Sequence, residues 1–287
     1  MDKKDESGVI IKIVTDSTSD LPPEMAAELD ITVIPCNVHF GTETYLDGVD
    51  LTRQQFYDKL ATAPELPTTS APGVGVFAET YRRLLETADG VVAIHVASAL
   101  SAVYSAACLG AERLDQTRIA VLDSRSVSMG LGWLAVIAAR AAREGLNLAQ
   151  VVERVQVATP RVRLVAAINT ITHLWHSGRV HWGVAFLGTL LDIKPIVEVR
   201  DSAVQAIARV RTRKKALARL RQLVSEMGPL QDLAVLHTHA PELARRFADE
   251  IADLFPRERM AIVEAGTVLG THVGPGGIGV ACVLAGE

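Results

Sequence analysis

The chain has few of the residues that mark disulfide-stabilised or membrane-spanning proteins. Its 287 residues include three cysteines, Cys36, Cys108 and Cys282, which lie far apart in apolar sequence. Their odd number and wide spacing predict reduced core residues and exclude a disulfide framework. Apolar stretches end well before the roughly 18 residues that a spanning helix requires, so no integral membrane association is predicted. Residues 1–8 have no signal-peptide pattern, and we expect a disordered tail on a cytoplasmic protein.

The sequence also lacks an excess of positive charge and the short motifs of common enzymes. A net charge of −4, with 49% hydrophobic and 22% charged residues, is typical of a soluble globular protein and gives no reason to expect nucleic acid. Neither a G-x-S-x-G elbow nor a Walker loop occurs. His173, His176 and His181 lie close together, but no carboxylate or cysteine joins them at zinc spacing. We therefore predict neither a metal nor another cofactor.

In the first half, short apolar runs lead three times into polar loops and then into helices. The predicted strands cover residues 9–14, 91–96 and 118–122. This order predicts a parallel sheet with helices on both faces and the hydroxyl-rich loops gathered at one edge. Open α/β sheets bind ligands at that edge, although capping and turn formation explain each single loop equally well.

Several local signals predict where elements begin. Thr52 with Gln55 forms a capping box, and Asn147 is a helix cap. Asp20 is predicted to cap a helix whose first turn contains prolines. Residues 31–40 read as one strand. The proline-rich stretch 64–72 reads as a loop before a helix, and its three hydroxyls form either an anion site or ordinary helix caps.

After Pro160 the pattern changes to strands alternating with helices, some of them joined by short turns. The turn at Asp201 and Ser202, and another near the end, predict antiparallel pairing. Strands are predicted at 164–168, 193–199, 204–210, 233–236, 261–263, 268–273 and 278–284, and helices at 182–191, 212–227 and 241–254. We predict an N-terminal α/β domain at 9–158 and a C-terminal α+β domain with a mixed sheet at 159–287.

The glycine-rich run at residues 270–280 contains one histidine, His272. Such a turn can present an imidazole to an anion, or it can be a tight connection with an incidental histidine. Gly274, Gly276 and Gly279 match the dinucleotide fingerprint, but an apolar strand-like run follows them instead of a helix. We reject the nucleotide interpretation.

Positive charge is concentrated between the predicted strand at 204–210 and the helix after it. A solvated face is the default interpretation, and an acidic protein or phosphate partner is the alternative. The residues concerned are Arg209, Arg211, Arg213, Lys214, Lys215, Arg219 and Arg221.

A set of motifs spread over almost the whole chain resembles the DegV family of bacterial fatty-acid-binding proteins. The motifs are Thr15-Asp16-Ser17, Pro67-Thr68-Thr69-Ser70-Ala71-Pro72, Ser98-Ala99-Leu100-Ser101, Asp123-Ser124, Gly178-Arg179-Val180, Ile193-Lys194-Pro195, Arg209-x-Arg211 and the run at 270–279. The sequence departs from the family pattern at Ala102-Val103, at Ser177 and at Arg209. These departures bear on ligand detail more than on family membership.

The resemblance implies a two-domain lipid-binding carrier and not an enzyme. One long-chain fatty acid, such as palmitate, stearate or oleate, is expected with its carboxyl group between the domains and its tail in an apolar tunnel. A separate fatty acid kinase is expected to convert it to acyl phosphate for phospholipid metabolism. The implied carboxyl-binding residues are Thr69, Ser70, Ser101 and His272, with Asp16, Ser17, Ser98, Arg179, Gly274 and Gly276 in support, and Arg209 and Arg211 face the kinase.

Burial of a long tail at about 0.8 kcal/mol per methylene agrees with a carrier. The alternative is a serine-dependent hydrolase or acyltransferase, in which Ser101 or Thr69 is the nucleophile and His272 the base. That enzyme needs a third group to orient the histidine, and Asp16 is the one candidate.

Overall fold

The computed structural model describes residues 8–180 and 193–286, which form thirteen strands and ten α-helices among them. The strands are β1 (Ile11–Asp16), β2 (Ile31–Ile34), β3 (Asn37–Phe40), β4 (Glu43–Leu46), β5 (Thr68–Ser70), β6 (Gly90–His95), β7 (Ile119–Asp123), β8 (Val162–Ala167), β9 (Lys194–Arg200), β10 (Ala203–Val210), β11 (Leu230–His237), β12 (Ala261–Glu264) and β13 (Ile278–Leu284). The helices are α1 (Pro23–Glu28), α2 (Arg53–Thr62), α3 (Val74–Leu85), α4 (Val103–Ala111), α5 (Met129–Arg143), α6 (Leu148–Ala158), α7 (Ile171–His176), α8 (Arg213–Ser225), α9 (Pro241–Glu250) and α10 (Thr267–Val273).

The first half forms the predicted parallel sheet, in the order β2-β1-β6-β7. Strand β6 is buried along its whole length, which explains its continuous apolar sequence. Helices α3 and α4 pack together against the sheet, and α5 and α6 form a second pair against it. The capping box predicted at Thr52 and the helix cap predicted at Asn147 are both present, and Asn147 also forms a capping box with Gln150.

A small antiparallel sheet, in the order β4-β3-β5, projects from this domain. It corrects two predictions. Residues 31–40 are two strands because Pro35 cannot donate to a ladder, and Ser17 accepts a hydrogen bond from the Cys36 amide (3.0 Å) where the chain turns away. Residues 68–70 form an edge strand inside the predicted proline-rich loop.

The second half forms a mixed sheet in the order β10-β9-β8-β13-β11-β12. Only β11 and β12 pair in parallel, and the other neighbours are antiparallel. Asp201 (φ 49°) and Ser202 (φ 64°) form the predicted two-residue hairpin turn between β9 and β10. Helices α8 and α9 cover one face of this sheet, while α5 packs on β8, β11 and β13.

Two further sequence-based predictions are wrong. Residues 268–273 belong to helix α10 and not to a strand, so the predicted final hairpin does not exist. Asp20 does not cap α1, which starts after Pro22 without a side-chain cap. Its carboxylate instead accepts the backbone N–H of Gly266 (2.7 Å), just before α10. The predicted helix at 182–191 and His181 lie outside the described residues.

The largest hydrophobic core spans both halves, and a second core lies under α8 and α9 in the second half. Helix α5 is buried on nearly every side, and its Trp133 indole donates to the Ala281 carbonyl of β13 (3.0 Å). Leu164, Leu236 and Val283 of the second sheet join the core of the first half. Every strand of the parallel sheet precedes residue 159 and every strand of the six-stranded sheet follows it, while the division at 158/159 stays a prediction.

Candidate functional site

An elongated apolar cavity lies between the mixed sheet and the N-terminal half. Alternate residues of β8 line it, because Leu164 and Ala166 face the cavity while Val165 and Ala167 pack into the core under α8 and α9. Its volume is about 1030 Å³, including the space open to solvent. The other apolar lining residues include Val127, Ile168, Leu174, Val197, Val199, Val204, Leu236, Val268, Leu269, Val273 and Ile278.

One end of the cavity is polar. The Thr69 hydroxyl of β5 and the His272 imidazole of α10 both line it, and Thr69 Oγ1 lies 2.9 Å from His272 Nε2. This hydrogen bond joins residues that are 203 positions apart in sequence. The second ring nitrogen, Nδ1, is buried and has no hydrogen-bond partner among the described residues. A buried polar atom without a partner in the protein is a candidate for pairing with a ligand.

His272 is held neutral. Burial lowers its pKa to about 4, and the positive charge of Arg179 and the ring of His173 act in the same direction. A neutral imidazole donates through one nitrogen and accepts through the other. It can therefore pair with a carboxylate or with a protonated carboxyl group.

The two other predicted carboxyl-binding residues differ in position. Ser101 lines the cavity at the start of α4, where its hydroxyl accepts the Val103 amide (3.4 Å). Ser70 does not line the cavity. Its hydroxyl lies on the outer side of β5, at 2.9 Å from His39 Nε2 and 3.2 Å from Asn37 Nδ2. Successive residues of a strand face opposite sides, which separates Ser70 from Thr69.

Asp16, Ser17 and Ser98 do not line the cavity. Asp16 is fully buried and accepts the Val96 amide (3.1 Å) and His95 Nδ1 (3.0 Å), so it ties the end of β1 to the end of β6. The Ser17 hydroxyl holds the chain between β2 and β3. Ser98 is exposed and its amide donates to the Asp123 carboxylate (3.3 Å). These groups fix the loops around the polar end.

The remaining predicted residues surround the mouth. Arg179 is exposed and lines the cavity. Gly274 (φ 71°) and Gly276 (φ 86°) form the turn after α10, and a side chain at Gly274 would collide with the His173 ring. The Gly276 amide donates to the Thr238 carbonyl (2.6 Å), which fixes the turn against the end of β11.

Several lining residues were not singled out from the sequence. Thr18, Ser128, His237 and Thr238 add polar groups to the lining, and burial lowers the pKa of His237 to about 4. The alternation of residues along β8 and β9 could have predicted from the sequence which side chains form the apolar wall. The four polar residues could not have been found in this way, because they come from three separate segments of the chain.

Within the described residues, no three His, Cys, Asp or Glu side chains are placed to hold a metal ion. His173 Nδ1 lies 3.1 Å from the Thr271 carbonyl, and His176 Nδ1 lies 2.8 Å from the Thr172 carbonyl. No helix within 8–180 or 193–286 is long and apolar enough to cross a membrane.

Comparison with known proteins places the whole architecture in one family. A family model described as "Uncharacterised protein, DegV family" matches residues 10–285. The chain belongs to the DegV family. A DegV domain-containing protein of Halalkalibacterium halodurans is 34% identical over 273 residues, covering 94% of this chain and 96% of the relative.

Two solved DegV structures match the fold closely. The DegV family protein of Thermus thermophilus, described by its fatty acid binding, has a TM-score of 0.87 at 29% identity and covers 96% of this chain and 100% of its own. DegV of Bacillus subtilis, described as a fatty acid binding protein, has a TM-score of 0.86 at 31% identity, with coverages of 96% and 99%. The sequence-based fold class and family prediction are thus confirmed.

Proposed function

We propose that this DegV protein binds one long-chain fatty acid and presents its carboxyl group to a separate fatty acid kinase, which converts it to acyl phosphate. The observation that carries the proposal is the cavity itself, which has an apolar wall and one end formed by Thr69, His272 and Ser101. The fatty-acid binding ascribed to the Thermus and Bacillus relatives supports it.

The polar end suits a carboxyl group that is removed from water. An unpaired carboxylate is costly to bury, so the site must supply hydrogen bonds or charge. Neutral His272 supplies a buried ring nitrogen, Nδ1, without a partner among the described residues, and the Thr69 and Ser101 side chains line the same cavity. Arg179 at the mouth adds a positive charge that favours the ionised carboxyl.

The tail accounts for most of the expected affinity. Each methylene moved from water to an apolar wall contributes about 0.8 kcal/mol. Because this gain does not depend on tail chemistry beyond length and shape, palmitate, stearate and oleate are all candidate ligands.

A basic surface beside the mouth is the proposed kinase contact. It consists of Arg209, Arg211, Arg213, Lys214 and Lys215, all of them exposed. The last three lie in the first turn of α8, where positive charge opposes the helix dipole and costs stability. The Arg213 guanidinium also donates to Asn169 Oδ1 (3.0 Å), next to the Gly276 turn. Function is a better reason for this charge than stability.

One contact favours the alternative of an acyl hydrolase, because the 2.9 Å Thr69–His272 pair resembles a nucleophile and its base. Two features weigh against it. A histidine with a pKa of about 4 is a weak base at neutral pH, and Asp16, the candidate third group, is engaged by His95, Val96 and Thr18.

The first experiment is native mass spectrometry of the full-length protein, followed by denaturing extraction. We expect one fatty acid per chain, released unmodified, and acyl phosphate only when a bacterial fatty acid kinase and Mg-ATP are added. A protein that carries no lipid and takes up neither palmitate nor oleate would contradict the proposal. Ester turnover without any kinase, abolished by Ser101→Ala or Thr69→Val, would establish the alternative.

A further inference from the structure

A second, polar cleft lies beyond the apolar end of the cavity. It opens between β7 and α6 on one side and the β8 and β9 ends on the other. Its lining includes Asp123, Ser124, Arg125, Ser126, Gln156, Thr159, Arg163, Arg200 and Asp201. The cleft is charged and more polar than the cavity, although Val121, Leu122, Val155, Pro160 and Val162 also line it.

Three chain segments contribute one residue to the cleft and the adjacent residue to the cavity. Ser126 lines the cleft and Val127 the cavity, and Arg163 and Leu164 divide in the same way. On β9, Arg200 lines the cleft and Val199 lines both spaces. Among the described residues, Val199 is the one residue that the two linings share. We call Val127, Leu164 and Val199 the apolar partition.

The partition is part of the fold's hydrogen-bonded framework. Val199 is buried and lies opposite Leu164 of β8 and Val204 of β10, both of which also line the cavity. The Ser202 amide at the β9–β10 turn donates to the Arg125 carbonyl (3.2 Å), which fixes the mixed sheet to the N-terminal half beside the partition.

Strand β9 connects the neighbourhood of His272 with the partition. The Ile168 amide donates to the Pro195 carbonyl, and His173, shortly after Ile168, contacts the Thr271 carbonyl next to His272. Val199 lies four residues further along β9 than Pro195, which is about 13 Å of strand. A tail that starts near His272 and follows β9 therefore reaches Val199.

We propose that Val199 sets the maximum tail length that the cavity accepts, an inference that rests on the proposed function. A tail long enough to pass the partition would enter a cleft lined by three arginines, where its methylenes bury less apolar surface than they do in the cavity. By the same reasoning, the site selects acids whose far end is an unsubstituted hydrocarbon.

The test compares delipidated full-length wild type with Val199→Ala, Val199→Phe and the control Val197→Ala. Val197 is on the same strand, faces the same cavity and does not line the cleft, so its truncation widens the cavity without opening the partition. Dissociation constants are measured by displacement of a fluorescent fatty acid with myristic, palmitic, stearic, arachidic and behenic acids.

We expect Val199→Ala to move the best-bound acid to a chain at least two carbons longer. The affinity ratio of that acid to palmitic acid should rise roughly tenfold, because the space vacated by the Val199 methyl groups extends the apolar cavity, and each methylene placed there is worth about fourfold. Val199→Phe should move the preference to shorter acids, and Val197→Ala should leave it unchanged.

The failures are distinguishable. If wild type binds none of these acids, the proposed function fails and this inference falls with it. If wild type binds them but both Val199 variants keep its order of chain lengths, only the inference is wrong. A shift of the same size in Val197→Ala would also overturn it, since general widening would then explain the effect.

Discussion

At the scale of single residues, the polar end of the cavity depends on which side of β5 a hydroxyl occupies. Thr69 is half-buried and contacts His272, whereas Ser70 is exposed and contacts His39 and Asn37. The sequence run of three hydroxyls suggested an anion site without distinguishing them. Strand pairing with β3 makes the distinction, because it assigns alternate residues to opposite faces.

The adjacent pair provides a matched test of carboxyl binding. Thr69→Val keeps the shape of the side chain but removes the hydroxyl, and we expect fatty-acid affinity to fall about tenfold, the worth of one hydrogen bond to a charged or polar head group. Ser70→Ala removes the neighbouring hydroxyl from the outer face and should change affinity less than about twofold. Isothermal titration with palmitate measures both. Equal losses in the two variants would contradict the assignment of Thr69 to the site.

Asp16 illustrates what residue patterns alone cannot give. Its place at the carboxyl end of β1 is typical of a ligand-binding site, and the sequence correctly predicts its position at that sheet edge. Its carboxylate is nevertheless saturated by Val96, His95 and Thr18. Whether a polar residue at such an edge binds a ligand or secures a loop depends on tertiary partners from distant parts of the chain.

At the scale of elements, helix α10 decides the geometry of the site because it carries His272. The sequence predicted a strand there, since Val268, Leu269 and Val273 are apolar or β-branched and glycine at 270 is a poor helix former. Tertiary contacts outweigh that preference. The Asp47 carboxylate accepts the Thr267 amide (3.0 Å) at the helix start, and Gly270 lets the helix approach α2 closely.

Gly270→Ala should disturb the site without touching its lining. A β-carbon at this position would lie 2.7 Å from a Phe56 ring carbon and 2.9 Å from the Tyr57 hydroxyl, and both side chains are buried. Because neither ring has room to move, α10 must shift. We expect a loss of about 1–3 kcal/mol in the free energy of unfolding and weaker palmitate binding.

The control for this prediction is Gly75→Ala, also within a helix, where an added β-carbon meets nothing within 4 Å. It should leave binding unchanged and raise the free energy of unfolding by up to about 1 kcal/mol. Urea unfolding and titration calorimetry on both variants provide the measurements. Wild-type binding by Gly270→Ala would show that the position of α10 is not critical.

Strongly patterned elements were predictable, and those that depend on distant contacts were not. The capping boxes at Thr52 and Asn147 and the hairpin at Asp201 are local, and all three are present. Pro35 could have predicted the division of residues 31–40 into two strands. It could not have predicted which strands β3 pairs with, because its partners β4 and β5 come later in the chain.

At the scale of the whole molecule, one buried carboxyl group joins the elements that surround the cavity. Asp20, 2% exposed, accepts the Gly266 amide at the start of α10 and the Ser128 hydroxyl at the start of α5. Burial raises its pKa from 3.8 to about 7, against the lowering effect of these two hydrogen bonds and of Arg53. The junction between the two halves therefore takes up a proton on folding.

The sign of the resulting pH dependence follows from that uptake. The stabilisation from the protonated Asp20 is fully present below the unfolded pKa of 3.8 and is lost as pH rises through about 7. His272 and His237 act in the opposite sense. Their pKa values fall from 6.5 to about 4 on folding, so their contribution grows as pH rises from about 4 to 6.5. A single wild-type profile mixes these contributions, and a variant is needed to separate them.

Asp20→Asn imitates the protonated carboxyl group and removes its titration. Relative to wild type, we expect the free energy of unfolding of this variant to rise by about 1 kcal/mol per pH unit between about pH 5 and pH 7, and to level off above that range. Asp58→Asn, which removes an exposed carboxylate on α2, should show no such trend. Urea unfolding across this range measures both differences. A pH-independent difference for Asp20→Asn would mean that Asp20 is already ionised in the folded protein, and that its contacts with Ser128 and Gly266 outweigh its burial.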